Sequence, residues 1–331
     1  MMPAMARSQL TPWWMLSRFF MVAWCAFLIA PMASSEDVGV REPTIRLHQS
    51  GKIRVFYCTE GQHAVAPADV NSNGIPDQVE DVLTQTLAAQ MMFVEVLSFP
   101  DPFSTERFNT ASFLDIHLRH KEVLKKNGVA YDEMQSFKRP RDPEGTLSLC
   151  FSVATCVHPS RELTPVHEFF HIIQNSMTFF KNRWYTEGTA RWSERALGMG
   201  GLGPARIAGA GPMSDDRTAQ IFTMAYESAE LFWNPLLKRM DGSGALPDSP
   251  SMERLMAMTY ADGTKVLKDR QLKGWKFVRD VLMALGEADD LAFSELGYDR
   301  WSEENQKSPR NDAYILRTVM AVARRYYAGG R

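Results

Sequence analysis

The sequence predicts an α+β chain. Short strand-like pieces occur between residues 44 and 153, one long amphipathic segment interrupts them, and helical periodicity dominates from Thr164 onward. A small sheet followed by a run of helices fits neither alternating βαβ units nor a pure helical bundle. The composition suits a packed core, with 45% hydrophobic residues, 11% aromatic, 8 Trp and 19 Phe, which excludes a disordered or low-complexity chain. Lys and Arg number 37 against 39 Asp and Glu, a net charge of -2, so there is no basic excess for a nucleic-acid backbone and no nucleic-acid partner is expected.

Residues 1–35 read as a signal peptide. Arg7 and Arg18 precede the apolar run Phe19 to Ala30, and the small residues Ala33, Ser34 and Ser35 precede Glu36 and Asp37. The alternative is an uncleaved anchor, against which Arg18 interrupts any longer span and the clean run is too short to cross a bilayer. The chain is therefore expected to be secreted or periplasmic, with no stable membrane span once the signal is removed. Its mature part divides into an N-terminal α+β part, 36–160, and a helical part, 161–331. In an oxidising compartment Cys150 and Cys156 are the natural disulfide pair and Cys58 is left free and buried, although spacing leaves Cys58 open to either partner.

Thr44 to Cys58 alternates as two strands turning at Gln49-Ser50-Gly51. Pro76 to Phe99 has apolar residues at helical spacing, Pro in its first turn and acids early, which predicts a long helix. Three strands are expected at Ser112–Leu118, Gly128–Tyr131 and Leu147–Val153. Helices are expected at 165–179, 187–197, 217–239, 251–259, 263–286 and 311–327, separated by loops bearing Gly and Pro.

Two segments carry metal-ligand chemistry. The first, Asp69 to Glu80, matches the twelve-residue calcium-loop pattern, with Asp69, Asn71, Asn73, Asp77 and Glu80 offering side-chain oxygens and Ile75 a carbonyl. Pro76 and the non-helical residues before Asp69 depart from an EF-hand. The segment therefore reads either as an isolated calcium loop capping the next helix or as an Asx-rich turn.

The second is His167-Glu168-Phe169-Phe170-His171, an HExxH run inside an expected helix, with Thr164 as N-cap and Pro165 in first position. Such a match arises by chance in about one chain of this size in a hundred. His167 and His171 stand one turn apart, so both imidazoles project from one side and can grip one metal ion. Glu168 emerges beside them, within reach of a water on that metal. The plainer alternative is two histidines satisfied by backbone or surface water.

Two imidazoles leave a hydrolytic zinc one ligand short. HEFFHIIQ at 167–174 followed by RWYTEGTARW at 183–192 resembles the glutamate-zincins, in which HExxH is followed by W-x-x-E-G-x-A. Within them it is similar to a group of secreted bacterial metalloproteases carrying HEFFH, WxxEGTAxW and a Tyr-bearing helix. Aminopeptidase-N-like enzymes share the logic more distantly. The resemblance covers 165–240 strongly and 69–80 moderately.

It implies a zincin-like fold, a small mixed sheet packed on the HExxH helix and followed by a mainly helical part. It also implies zinc held by His167, His171 and Glu187, with Glu168 as general base, and hydrolysis of a peptide or protein substrate. Tyr226, in a Tyr-x-x-small-x-x-Leu pattern, would donate to the oxyanion, or else pack in a helix core. Glu194, two turns after Glu187, would orient a ligand histidine, or else be a surface acid. Arg191 stands where some glutamate-zincins carry an acid. No G-x-M-E-N-like segment holds a free amino terminus, so endopeptidase action is favoured. The alternative from another class is a noncatalytic surface or scaffold protein stabilised by zinc and calcium.

Overall fold

The computed structural model describes residues 44–198, 202–205, 215–240 and 243–329; the expected signal peptide lies outside them. Pro43–Arg331 forms one compact unit. Strands β1 (Arg46–Ser50) and β2 (Ile53–Tyr57) pair antiparallel, with Ser50 opposite Ile53. The turn between them needs Gly51, whose φ is +57°, a conformation L side chains avoid.

Helix α1 (Asp77–Gln90) then crosses to β3 (Phe113–Arg119), which pairs parallel with β2. After the single-turn helix α2 (Lys121–Leu124) come β4 (Gly128–Ala130) and β5 (Gln135–Ser136). Both pair antiparallel with β6 (Leu147–Ala154), which itself runs parallel to β3. The result is a six-stranded mixed sheet of order β1-β2-β3-β6-β4, with β5 off the path beside β6.

Strand alternation gives this sheet two unlike faces. Ile53, Val55, Leu114, Ile116, Leu149, Phe151 and Val153 are buried in one apolar core shared with α1 and α3 (Thr164–Met177). Between them stand Arg54, Asp115, Cys150 and Ser152. Arg54, 2% exposed, lies with Nε 2.7 Å from Oδ1 of Asp115, 0% exposed, and its Nη1 donates to Asp142 at 2.8 Å. Buried ionic groups persist only when paired, and here Arg139 completes the pairing on Asp115.

The rest is helical: α4 (Arg183–Ser193), α5 (Asp215–Phe222), α6 (Asn234–Met240), α7 (Pro250–Ala257), α8 (Trp275–Glu295), α9 (Glu303–Gln306) and α10 (Asp312–Gly329). Among the described residues no helix is long and apolar enough to cross a membrane.

Four expectations need correction. The helix expected over 217–239 is broken: α5 ends at Phe222, and the chain turns before winding as a wide π turn over Ala229–Trp233 and continuing as α6. The helix expected over 263–286 begins only at Trp275, because Gly274 at φ +82° stands before it and the preceding segment is closed by Thr259↔Lys265 and Ala245↔Gln271 bridges. Helix α3 starts one residue early, with Leu163 rather than Thr164 as N-cap. The Cys150–Cys156 disulfide is not formed; Cys58, Cys150 and Cys156 are free thiols. Cys150 lies inside β6, which stays extended to Ala154. Cys156 lies in the turn that follows and is exposed, whereas Cys150 is buried in the sheet.

Candidate metal centre

Helices α3 and α4 form an antiparallel hairpin joined by the short turn 178–182. The hydrogen bond from Gln174 Nε2 to the Thr186 carbonyl, 3.0 Å, and one to Thr189 Oγ1, 2.6 Å, tie them together. The N-terminus of α4 is held by α10: Asn182 Nδ2 and Trp184 Nε1 each donate to Asp312 Oδ1 at 2.7 Å.

This hairpin brings the expected ligands together. His167 Nε2 and His171 Nε2 are 3.1 Å apart; Glu187 Oε2 lies 3.3 Å from the first and 3.6 Å from the second. A tetrahedral ion with bonds of about 2.0–2.1 Å needs ligand atoms roughly 3.3–3.4 Å apart, so the three atoms fit one such ion. Among the described residues no other three His, Cys, Asp or Glu side chains gather this closely.

The far nitrogens are fixed as metal-binding imidazoles require. His167 Nδ1 donates to Glu194 Oε1 at 3.0 Å, and His171 Nδ1 donates to Gln174 Oε1 at 2.7 Å. Because both amide hydrogens of Gln174 are spent on α4, its oxygen must face His171. Each Nε2 is thereby left to face the shared point. Sequence reasoning missed Gln174; its place one turn after His171 was the only available signal. Arg191, one turn after Glu187, donates to Glu194 Oε2 at 2.6 Å and steadies that carboxylate.

The electrostatics call for a positive charge at this point. Burial alone lowers the His167 pKa, but the Glu187 and Glu194 carboxylates outweigh it and carry it up to about 10. Burial would raise Glu187, yet both histidines hold it well below the usual carboxylate range.

Glu168 is buried beside the triad without belonging to it. Burial pushes its carboxyl pKa up, with His171 and His167 partly opposing. The backbone of β4 passes directly over it: a Cβ on Gly128 would stand 2.7 Å from the Glu168 carboxyl carbon. Tyr226 is 44% exposed and stands in the turn after α5, with its ring 6.0 Å from that of His167. It is not packed in a helix core. Burial and then Glu187 raise its phenol to about 12.

Gly188, the Gly of E-G-x-A, is what lets this turn approach. A Cβ there would stand 2.6 Å from Trp233 Cδ1, and Ser228 Oγ and Trp233 Nε1 both donate to the Trp184 carbonyl, at 2.7 and 2.8 Å.

The 69–80 loop is stitched by its own side chains. Asp69 accepts from the Asn73 and Gly74 amides, Asp77 Oδ1 from Val70 N, and Glu80 from Asn71 Nδ2 and Asn73 Nδ2. Asn73 Oδ1 accepts from Ile75 N at 2.8 Å. The loop lies before α1 and apart from the His167 triad.

Comparison with known proteins gave no match to a protein family, to a curated protein or to a solved structure.

Proposed function

We propose that the chain is an exported zinc-dependent metallopeptidase with a zincin-like arrangement of sheet and HExxH helix. The observation that carries this reading is the convergence of His167 Nε2, His171 Nε2 and Glu187 Oε2 at 3.1 to 3.6 Å, with Glu168 beside them. The neutral imidazoles and single carboxylate are a donor set suited to zinc. Zinc, when bound, would polarise a substrate carbonyl and acidify a water.

The protein's own groups supply the rest. Glu168, made more basic by burial, accepts a proton from the attacking water at a carboxylate oxygen and passes it to the departing amine. A structural metal site has no use for such a base, which favours catalysis over the scaffold alternative. Tyr226 is protonated at neutral pH, as any tyrosine is, and the upward shift of its phenol to about 12 extends that state to higher pH, so its hydroxyl can donate to a developing oxyanion. Edge strand β4 lines the cleft with Gly128, Val129 and Ala130, and its outer edge can pair with an extended peptide. Residues 69–80 retain the oxygen set for a calcium ion, a second cofactor in this reading.

Metal analysis tests the proposal. The purified mature chain should carry about one zinc, and His171→Ala should lose it, since removing one of three ligands leaves the site incomplete. Zinc retained unchanged by His171→Ala would place the metal elsewhere.

A further inference from the structure

The cleft containing the triad has a volume of about 930 Å³ and extends beyond the metal ligands toward the C-terminal end of α3. Asn175 follows His171 by four residues, so it lies on the same helix face about 6 Å farther along. Lys181, in the turn between α3 and α4, lines this end of the cleft, and its ammonium donates to Asn175 Oδ1. Its main-chain amide donates to the Gln306 carbonyl at 2.9 Å, which fixes the residue in place.

Two other cations lining the cleft are matched to carboxylates. Arg183 faces Glu187 at 3.8 Å and Lys307 pairs with Glu303. Among the described residues no carboxylate stands within ion-pair distance of the Lys181 ammonium. Asp289, a neighbouring acid, has a carboxylate oxygen occupied by Phe179 N at 2.6 Å, and Asp132 influences Lys181 only from a distance. Arg107 and Lys307 add further positive potential, and burial followed by Arg107 lowers the lysine pKa to about 7. A charged group so placed is stabilised by an arriving anion.

We propose that Lys181 forms a carboxylate-binding subsite of the cleft, selecting substrates that carry a carboxylate near the bond cut. The inference rests on the peptidase reading for its substrate class. The carboxylate is either an Asp or Glu side chain or a free peptide C-terminus.

Three N-acetylated alanine-based hexapeptides separate these sources: one with a central Glu and an amidated end, one neutral with a free carboxylate end, and one neutral and amidated. Binding is measured calorimetrically on zinc-loaded Glu168→Gln. At least one carboxylate peptide should bind ten-fold or more tighter than the neutral one. Lys181→Met should abolish that difference and Lys181→Arg should keep most of it; Lys181→Gln replaces the Met variant if the latter fails to fold.

Equal binding of all three peptides, or a difference that survives Lys181→Met, overturns the subsite. Equal kcat/KM for the three with the wild-type chain does so too, while leaving the peptidase intact. Carboxylate-dependent binding without any hydrolysis by wild type keeps the subsite and overturns the peptidase.

Discussion

Gly128 and Glu168 are in contact closer than any other residue would permit: a Cβ on the strand residue would lie 2.7 Å from the carboxyl carbon of the acid. The edge of the sheet thereby forms the lid that buries Glu168 and keeps it basic. Gly128 does not adopt a positive φ, so alanine there strains the contact and not the backbone. Gly128→Ala should retain the fold and the metal while lowering peptide hydrolysis about 100-fold, the cost of moving a catalytic group by roughly 1 Å. A variant with zinc and near-normal kcat would mean that Glu168 does not need this placement.

The ion-free site should reveal itself through pH. Burial lowers the His167 pKa, but the Glu187 and Glu194 carboxylates raise it to about 10 in the folded chain. A raised folded-state value contributes stability in full below the unfolded value of about 6.5, and that contribution is lost as pH rises through about 10. With zinc chelated, the melting temperature should therefore fall more steeply between pH 6.5 and 10 in wild type than in Glu194→Gln. Identical slopes would show that the His167–Glu194 contact is not formed.

The 69–80 loop offers a separate test. Asn71 and Asn73 turn their amide nitrogens toward Glu80, and reversing those amides would present oxygens to a cation instead. If calcium binds, a calcium-selective chelator should lower the melting temperature, and Asp69→Ala should remove that sensitivity. A wild-type melt indifferent to calcium would leave the loop as an Asx-rich turn preceding α1.

What could be read in the sequence was what local periodicity encodes. The α+β class, the β1–β2 hairpin at Gly51 and the HExxH helix all follow from spacing within about fifteen residues. The proximity of Glu187 to that helix came from a motif, and its geometry depends on the Gln174 clamp, which no local pattern shows because Thr186 and Thr189 set the amide's direction. The buried Arg54–Asp115 pair joins residues 61 apart and looks in sequence like two ordinary surface charges. Nearness in sequence pairs Cys150 with Cys156, but Cys150 is inside an extended strand and Cys156 is exposed beyond its end. The break before Tyr226 was hidden because the apolar spacing of 217–239 continues through it; only the approach of Ser228 and Trp233 to Gly188 requires the turn.

The central claim is that Glu168 acts as the base at a metal site built by His167, His171 and Glu187. Replacing it by glutamine keeps the side chain's shape and removes its ability to accept a proton. The measurement is hydrolysis of a peptide substrate by wild type and Glu168→Gln, with zinc content determined on the same samples. The account predicts equal zinc in both and a rate about 100-fold to 10,000-fold lower in the variant. Equal zinc with a rate near that of wild type would contradict it.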